Sequence, residues 1–121
     1  MSLTTRQSGT VGENVAEQYL TANGYRILGR NLGCRYGEID MVAQQGDKLF
    51  FVEIKRRRTR TFGQALEAVP LKKQHRIRRT AEYLLLKNCD WAKMVPFFSV
   101  LAIDEDDNGD MKIEFLKDAF Q

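Results

Sequence analysis

Residues 37–55 read GEIDMVAQQGDKLFFVEIK, and the way this stretch folds back on itself decides the architecture. Two β-prone runs, Tyr36–Ala43 and Lys48–Arg56, flank Gln44-Gln45-Gly46-Asp47, which is a hairpin signal. With Gly46 and Asp47 as the two turn residues, glycine first, a type II′ turn is expected. Opposed residues then have numbers that add to 93. Met41 faces Val52, Ala43 faces Phe50 and Ile39 faces Ile54, which makes one side wholly apolar. On the other side Val42 faces Phe51, Asp40 faces Glu53 and Glu38 faces Lys55.

Two carboxylates directly opposed on neighbouring strands repel each other. One of them can hold a proton, or a cation can sit between them. Hard oxygen donors of this kind suit Mg²⁺ or Mn²⁺. Lys55 lies two residues beyond Glu53 on the same strand face. It adds a positive charge where negative charge would grow during attack on a phosphodiester. A cluster of charges emerging from the apolar run Phe50-Phe51-Val52 is harder to read as a solvated surface than a Glu-x-Lys elsewhere. The plain alternative is a set of cross-strand ion pairs, and for Glu38 a pair with Lys55 is the preferred reading. Gly37 reads as a bend or a point of close approach.

Outward from the hairpin, residues 1–9 read as a loose tail and Thr10-Val11-Gly12-Glu13 as the capping box of a first helix. Val15, Tyr19 and Leu20 recur at helical spacing, and Asn23-Gly24 ends the helix. A first strand is expected over Tyr25–Asn31. Val69-Pro70 marks entry to a second helix with Leu71, Ile77, Ala81, Leu84 and Leu85 as its buried stripe. Strands over Val95–Ile103 and Lys112–Leu116 follow, separated by an acidic turn. The chain of 121 residues is expected to form a single domain of α/β class.

Composition removes several function classes. No apolar run approaches the ~20 residues of a membrane span, and no signal peptide is evident at the N-terminus, so a cytoplasmic protein is expected. Cys34, Cys89 and His75 are too few for a zinc site. A cysteine–histidine nucleophile pair stays open beside the plainer reading of inert cysteines and a surface histidine. Trp91, Phe97 and Phe98 read as core aromatics rather than stacking platforms. The net charge is +3, yet residues 55–79 hold ten basic residues and a single acid, Glu67. Such a concentration favours a polyanionic partner such as nucleic acid, with a solvated basic face as the equal alternative. Arg56, Arg57, Arg58 and Arg60 stand where they could guide phosphates, with Lys72, Arg76 and Arg79 on one helical stripe. Contacts of this kind grip backbone and carry little base information.

Gly37-Glu38-Ile39-Asp40 followed by Phe51-Val52-Glu53-Ile54-Lys55 resembles the Asp…Glu-x-Lys signature of the PD-(D/E)xK nuclease superfamily. More closely, Gly12–Leu20, Gly24–Leu28, Arg30-Asn31-Leu32, Phe62-Gly63, Lys73 and Ala81–Leu84 together resemble the YraN-like predicted endonucleases, themselves similar to archaeal Holliday junction resolvases. That resemblance covers about residues 9–103. It implies a restriction-endonuclease-like mixed β-sheet flanked by α-helices. It also implies Asp40, Glu53 and Glu13 as metal ligands, Lys55 as the catalytic cation, Lys73 as a phosphate contact and a homodimer acting on branched DNA. For Glu13 the capping and ligand readings both stand. One departure is plain: Phe97-Phe98-Ser99 occupies the place where the family usually has Arg-Phe-Asp.

Overall fold

The structure, a computed structural model, describes residues 5–58 and 69–121, with backbone alone for residues 5–10. Its elements run α1 (Thr5–Ala22), β1 (Arg26–Cys34), β2 (Gly37–Gln45), β3 (Lys48–Arg58), α2 (Leu71–Lys87), a single turn α3 (Cys89–Ala92), β4 (Val95–Glu105) and β5 (Met111–Phe120). The five strands form one sheet whose spatial order equals their chain order. All neighbours are antiparallel except β3 and β4, which run parallel over Lys48↔Val95 to Arg58↔Glu105. A parallel neighbour requires a crossover, and the segment containing α2 supplies it. This mixed sheet with flanking helices is the expected class and is consistent with a restriction-endonuclease-like fold.

Each face of the sheet is sealed by one helix. Ala16 and Leu20 of α1 pack with Tyr25, Met41, Ala43, Phe50, Val52, Leu101 and Ile103. Ile77, Ala81 and Leu84 of α2 pack on the opposite side with Val42, Leu49, Phe51 and Val100. The alternation of Phe50 and Val52 against Leu49 and Phe51 is the strand period expressed as two cores. Because β3 is buried on both faces, it reads as a near-continuous apolar run until Glu53.

Several bounds differ from expectation: β1, β4 and β5 run further at their C-terminal ends, and the helices differ as follows. The helix α1 begins at Thr5, so Thr10 lies within it and not at its start; residues 5–9 are helical, and residues 1–4 lie outside the described residues. In α2 the stripe includes Thr80, whereas Leu71, the first residue of the helix, is 69% exposed. Pro70 is the residue before the helix, and Gln74 bonds back to the Val69 carbonyl at 2.8 Å. The end of α1 is as expected: Gly24 has φ 87°, and the Tyr25 N–H reaches the Leu20 carbonyl at 3.0 Å.

Candidate functional site

The expected hairpin register holds from Gln45↔Lys48 to Met41↔Val52. Gly46 has φ 61° while Asp47 stays at negative φ, as a type II′ turn requires. Beyond Met41 the two strands part. β2 stays paired with β1 to the hairpin tip, through Leu32↔Ile39, Gly33↔Glu38 and Cys34↔Gly37. β3 stays paired with β4 through Arg58. The sheet therefore forks between β2 and β3, and Asp40 stands at the crotch.

Asp40 makes the fork chemically tolerable. Its Oδ2 accepts the Ile54 N–H at 2.9 Å, so a side chain replaces the backbone carbonyl that β2 no longer offers. The alternation of β2 breaks at the same place. Met41 and Ala43 face α1, but Ile39 turns to the α2 side and packs with Val42 and Ile77. The expected wholly apolar face thus loses Ile39, because strand twist at the fork redirects it. The expected Glu38–Lys55 pair lies past the end of the ladder. Glu38 is exposed and forms no ion pair among the described residues, while Lys55 is half-buried and engaged in other interactions.

Glu53 is 6% exposed, next to Asp40 on the α2 side of β3. The Asp40 carboxyl is pushed up to about 7, first by burial and then by the negative charge of Glu53, while the Ile54 N–H and the Lys73 ammonium oppose the rise. Near neutral pH a proton on Asp40 can bridge to Glu53, with which it is hydrogen-bonded. The Lys73 ammonium reaches down from the first turn of α2 and ion-pairs with Glu53 Oε1. Both remedies for opposed carboxylates, a held proton and an inserted cation, are therefore present together. The pairing role of Lys73 escaped sequence reading, because nothing local tells how far a crossover helix will lean over the strand before it.

Glu13 is not brought into this group. Its Oε2 accepts from Arg30 Nη2 at 3.0 Å and from Asn31 Nδ2 at 2.9 Å. Asn31 donates from a left-handed backbone (φ 53°), a conformation asparagine accepts more readily than most residues. Glu17 adds a second carboxylate to Arg30 at 3.7 Å. Among the described residues no three acidic, histidine or cysteine side chains gather into a metal-holding group. The three-carboxylate set of Glu13, Asp40 and Glu53 is accordingly unassembled in this conformation, with Arg30 and Asn31 as the restraint.

The basic segment also divides. Arg56 and Arg58 belong to β3, and both meet Glu105 of the neighbouring strand, at 3.2 and 3.9 Å. Arg57 is exposed and stands in register with Asp104. Arg60 and Phe62-Gly63 lie outside the described residues. His75 is exposed on α2, as expected. Phe97 stacks on Phe50, and Phe98 stacks between Phe51 and Phe120, with centroids 5.1–5.8 Å apart. Ser99 is buried and donates to the Lys117 carbonyl at 2.5 Å, where the β4–β5 register shifts. The triplet that departs from the expected Arg-Phe-Asp therefore serves the core and a bulge.

Comparison with known proteins gives a match of residues 12–103 to the family described as "Uncharacterised protein family UPF0102". The chain belongs to that family. Its UPF0102 relatives include a protein of Clostridium tetani, 41% identical over 96% of this chain and 95% of that protein. One from Caldicellulosiruptor bescii is 40% identical over 95% of this chain and 98% of its own length. One from Rhodococcus opacus is 42% identical over 93% and 94%. The UPF0102 match spans Asp40, Glu53, Lys55 and Lys73, and agrees with the YraN-like resemblance. Among the described residues of this UPF0102 chain, no helix is long and apolar enough to cross a membrane.

Proposed function

We propose that this UPF0102 chain is a Mg²⁺- or Mn²⁺-dependent endonuclease that hydrolyses phosphodiester bonds in DNA, with branched or otherwise structured DNA as the preferred target. The observation that carries the reading is the meeting of Asp40 and Glu53 at the fork of the sheet. Two carboxylates in a half-buried site, one with its proton affinity strongly raised, form a pair short of positive charge. Their oxygen donors fit a hard divalent ion, and Lys73 marks the position where a cation is accepted.

Asp40 and Glu53 would hold the ion, and Asp40 would keep its backbone bond to Ile54 through the oxygen it does not share. When bound, the ion would supply Lewis-acid activation of the phosphate and of the attacking water. Lys55, two residues along β3, would place an ammonium beside the phosphate oxygens as charge builds. Glu13 could join as a third ligand only after leaving Arg30 and Asn31. Shape would dominate substrate choice, since the basic residues address backbone.

Titration with Mn²⁺ by calorimetry tests the carboxylate pair directly: wild type should give a saturable heat that Asp40→Ala abolishes. With Mn²⁺, wild type should nick branched DNA, and Lys55→Ala should reduce the rate by at least about 10²-fold. Equal heats from wild type and Asp40→Ala, or residual cleavage by Lys55→Ala equal to wild type, would overturn the assignment. A second reading, a nucleic-acid-binding module without catalysis, draws on the way Arg30 and Asn31 occupy Glu13. DNA binding indifferent to Mn²⁺, together with intact DNA throughout, would favour it.

A further inference from the structure

The tip of the β1–β2 hairpin joins Arg35 and Tyr36, outside the basic segment, to Arg79 within it. Arg35 and Arg79 each lie 5.0 Å from the centroid of the Tyr36 ring. Arg35 Nη2 also donates to Tyr36 Oη at 2.9 Å. Arg35 belongs to the turn and Arg79 to the third turn of α2, so one aromatic ring ties two cations from different elements. Gly37, next along the chain, lets the hairpin press against α2: a Cβ built there would stand 3.6 Å from Arg76 Cβ and 3.5 Å from Thr80 Oγ1. Its φ of 153° suits glycine alone.

The cations along this line differ in kind from those on β3. Arg56 and Arg58 face Glu105, and Arg30 faces Glu13 and Glu17. Arg30 is fully countered, and Glu105 offsets part of the charge that Arg56 and Arg58 share. Among the described residues, no carboxylate pairs with Arg35, Arg76 or Arg79. A ring quadrupole restrains a guanidinium without neutralising it, so Arg35 and Arg79 are positioned yet keep full charge for an outside anion. Arg76 lies between them and Lys73, which sits on Glu53. Six residues of helix separate Lys73 from Arg79, a span of about 9 Å at 1.5 Å per residue. One strand of a duplex presents a phosphate about every 3.4 Å along its axis, so two or three phosphates match that span.

We propose that Arg35, Arg76 and Arg79, organised by Tyr36 and Gly37, form the grip for a nucleic-acid phosphate backbone and lead it to the Asp40–Glu53 pair. The main affinity for nucleic acid resides here rather than in Arg56 and Arg58. The assignment rests on the nucleic-acid part of the reading above but on none of its chemistry, so it is tested in EDTA.

Fluorescence anisotropy with short labelled DNA and RNA duplexes, over a range of KCl concentrations, gives the salt slope of binding. The double variant Arg35→Ala/Arg79→Ala should lower the magnitude of that slope by about 1.8 on a DNA duplex and weaken binding at least tenfold at low salt. Arg56→Gln/Arg58→Gln should leave the slope within error of wild type. Tyr36→Leu should weaken binding, whereas Tyr36→Phe, which keeps the ring face, should retain most of it. Circular dichroism melts check that each variant is folded. An unchanged slope in Arg35→Ala/Arg79→Ala on both duplexes, or a slope carried instead by Arg56 and Arg58, overturns the grip. Loss of Mn²⁺ binding or of cleavage in Asp40→Ala leaves this result untouched, so the two readings fail separately.

Discussion

Asp40 does three things with one carboxyl group: it accepts the Ile54 N–H, faces Glu53 and marks where β2 leaves β3. Its raised proton affinity has a signed consequence for stability. Between the ordinary value of 3.8 and about 7, the folded chain binds the Asp40 proton more tightly than the unfolded chain does. The contribution of Asp40 to the stability of the metal-free protein is therefore fully present below that window, is lost as pH rises through it, and is gone above about 7. Urea unfolding in EDTA at a series of pH values should show this slope, and Asp40→Asn should flatten it. A wild-type stability that does not fall relative to Asp40→Asn over the same window would contradict the cause given for the shift. At Gly37 the backbone itself is special, with φ 153°. Gly37→Ala should cost about 1–3 kcal/mol in the same assay, through backbone strain, because an added methyl group would meet its neighbours only at ordinary contact distance. The residue scale was the most legible in sequence. Asp40 against Glu53 followed from one turn and a period of two, whereas the Arg30–Asn31 hold on Glu13 did not, because a left-handed asparagine leaves no pattern in its neighbours.

The helix α2 links packing to the site. Ile77 and Leu84 seat it on the sheet, and Lys73 in its first turn meets Glu53. Ile77→Ala should destabilise the protein by about 2–5 kcal/mol by leaving a cavity, while Leu71→Ala should change stability by less than about 0.5 kcal/mol. Thermal melts decide between them, and comparable losses would mean that the exposed Leu71 is packed in solution. Periodicity alone placed both leucine and isoleucine on one stripe, because it reports which face is apolar but not which of its residues the sheet will cover. The hairpin β2–β3 was legible for the complementary reason: a two-residue turn ties register to the sequence so tightly that a slip would bury charge. The fork beyond Met41 was not, since nothing in a ladder's sequence says where the partners part.

Across the whole molecule, burial concentrates on β3 and β4, where both faces are covered, and thins toward β1 and β5. Amide hydrogen exchange should be slowest at Phe50–Val52 and Leu101–Ala102 and much faster in β5, where Leu116 is 48% exposed. Uniform protection over all five strands would show that the sheet opens only as one unit. The α/β class and the order of elements were readable from spacing and turn chemistry. Which cations stay unneutralised was not, because that depends on Glu105 arriving beside Arg56 from a strand almost fifty positions away. Strand order that follows chain order has one more consequence. The first three strands form a meander whose contacts join near neighbours in the sequence. Both acids of the site belong to that meander, but Lys73 comes from the crossover. The counter-charge of the pair thus hangs on one long-range contact, and any motion that lifts the crossover helix from the sheet takes the ammonium away from the acids.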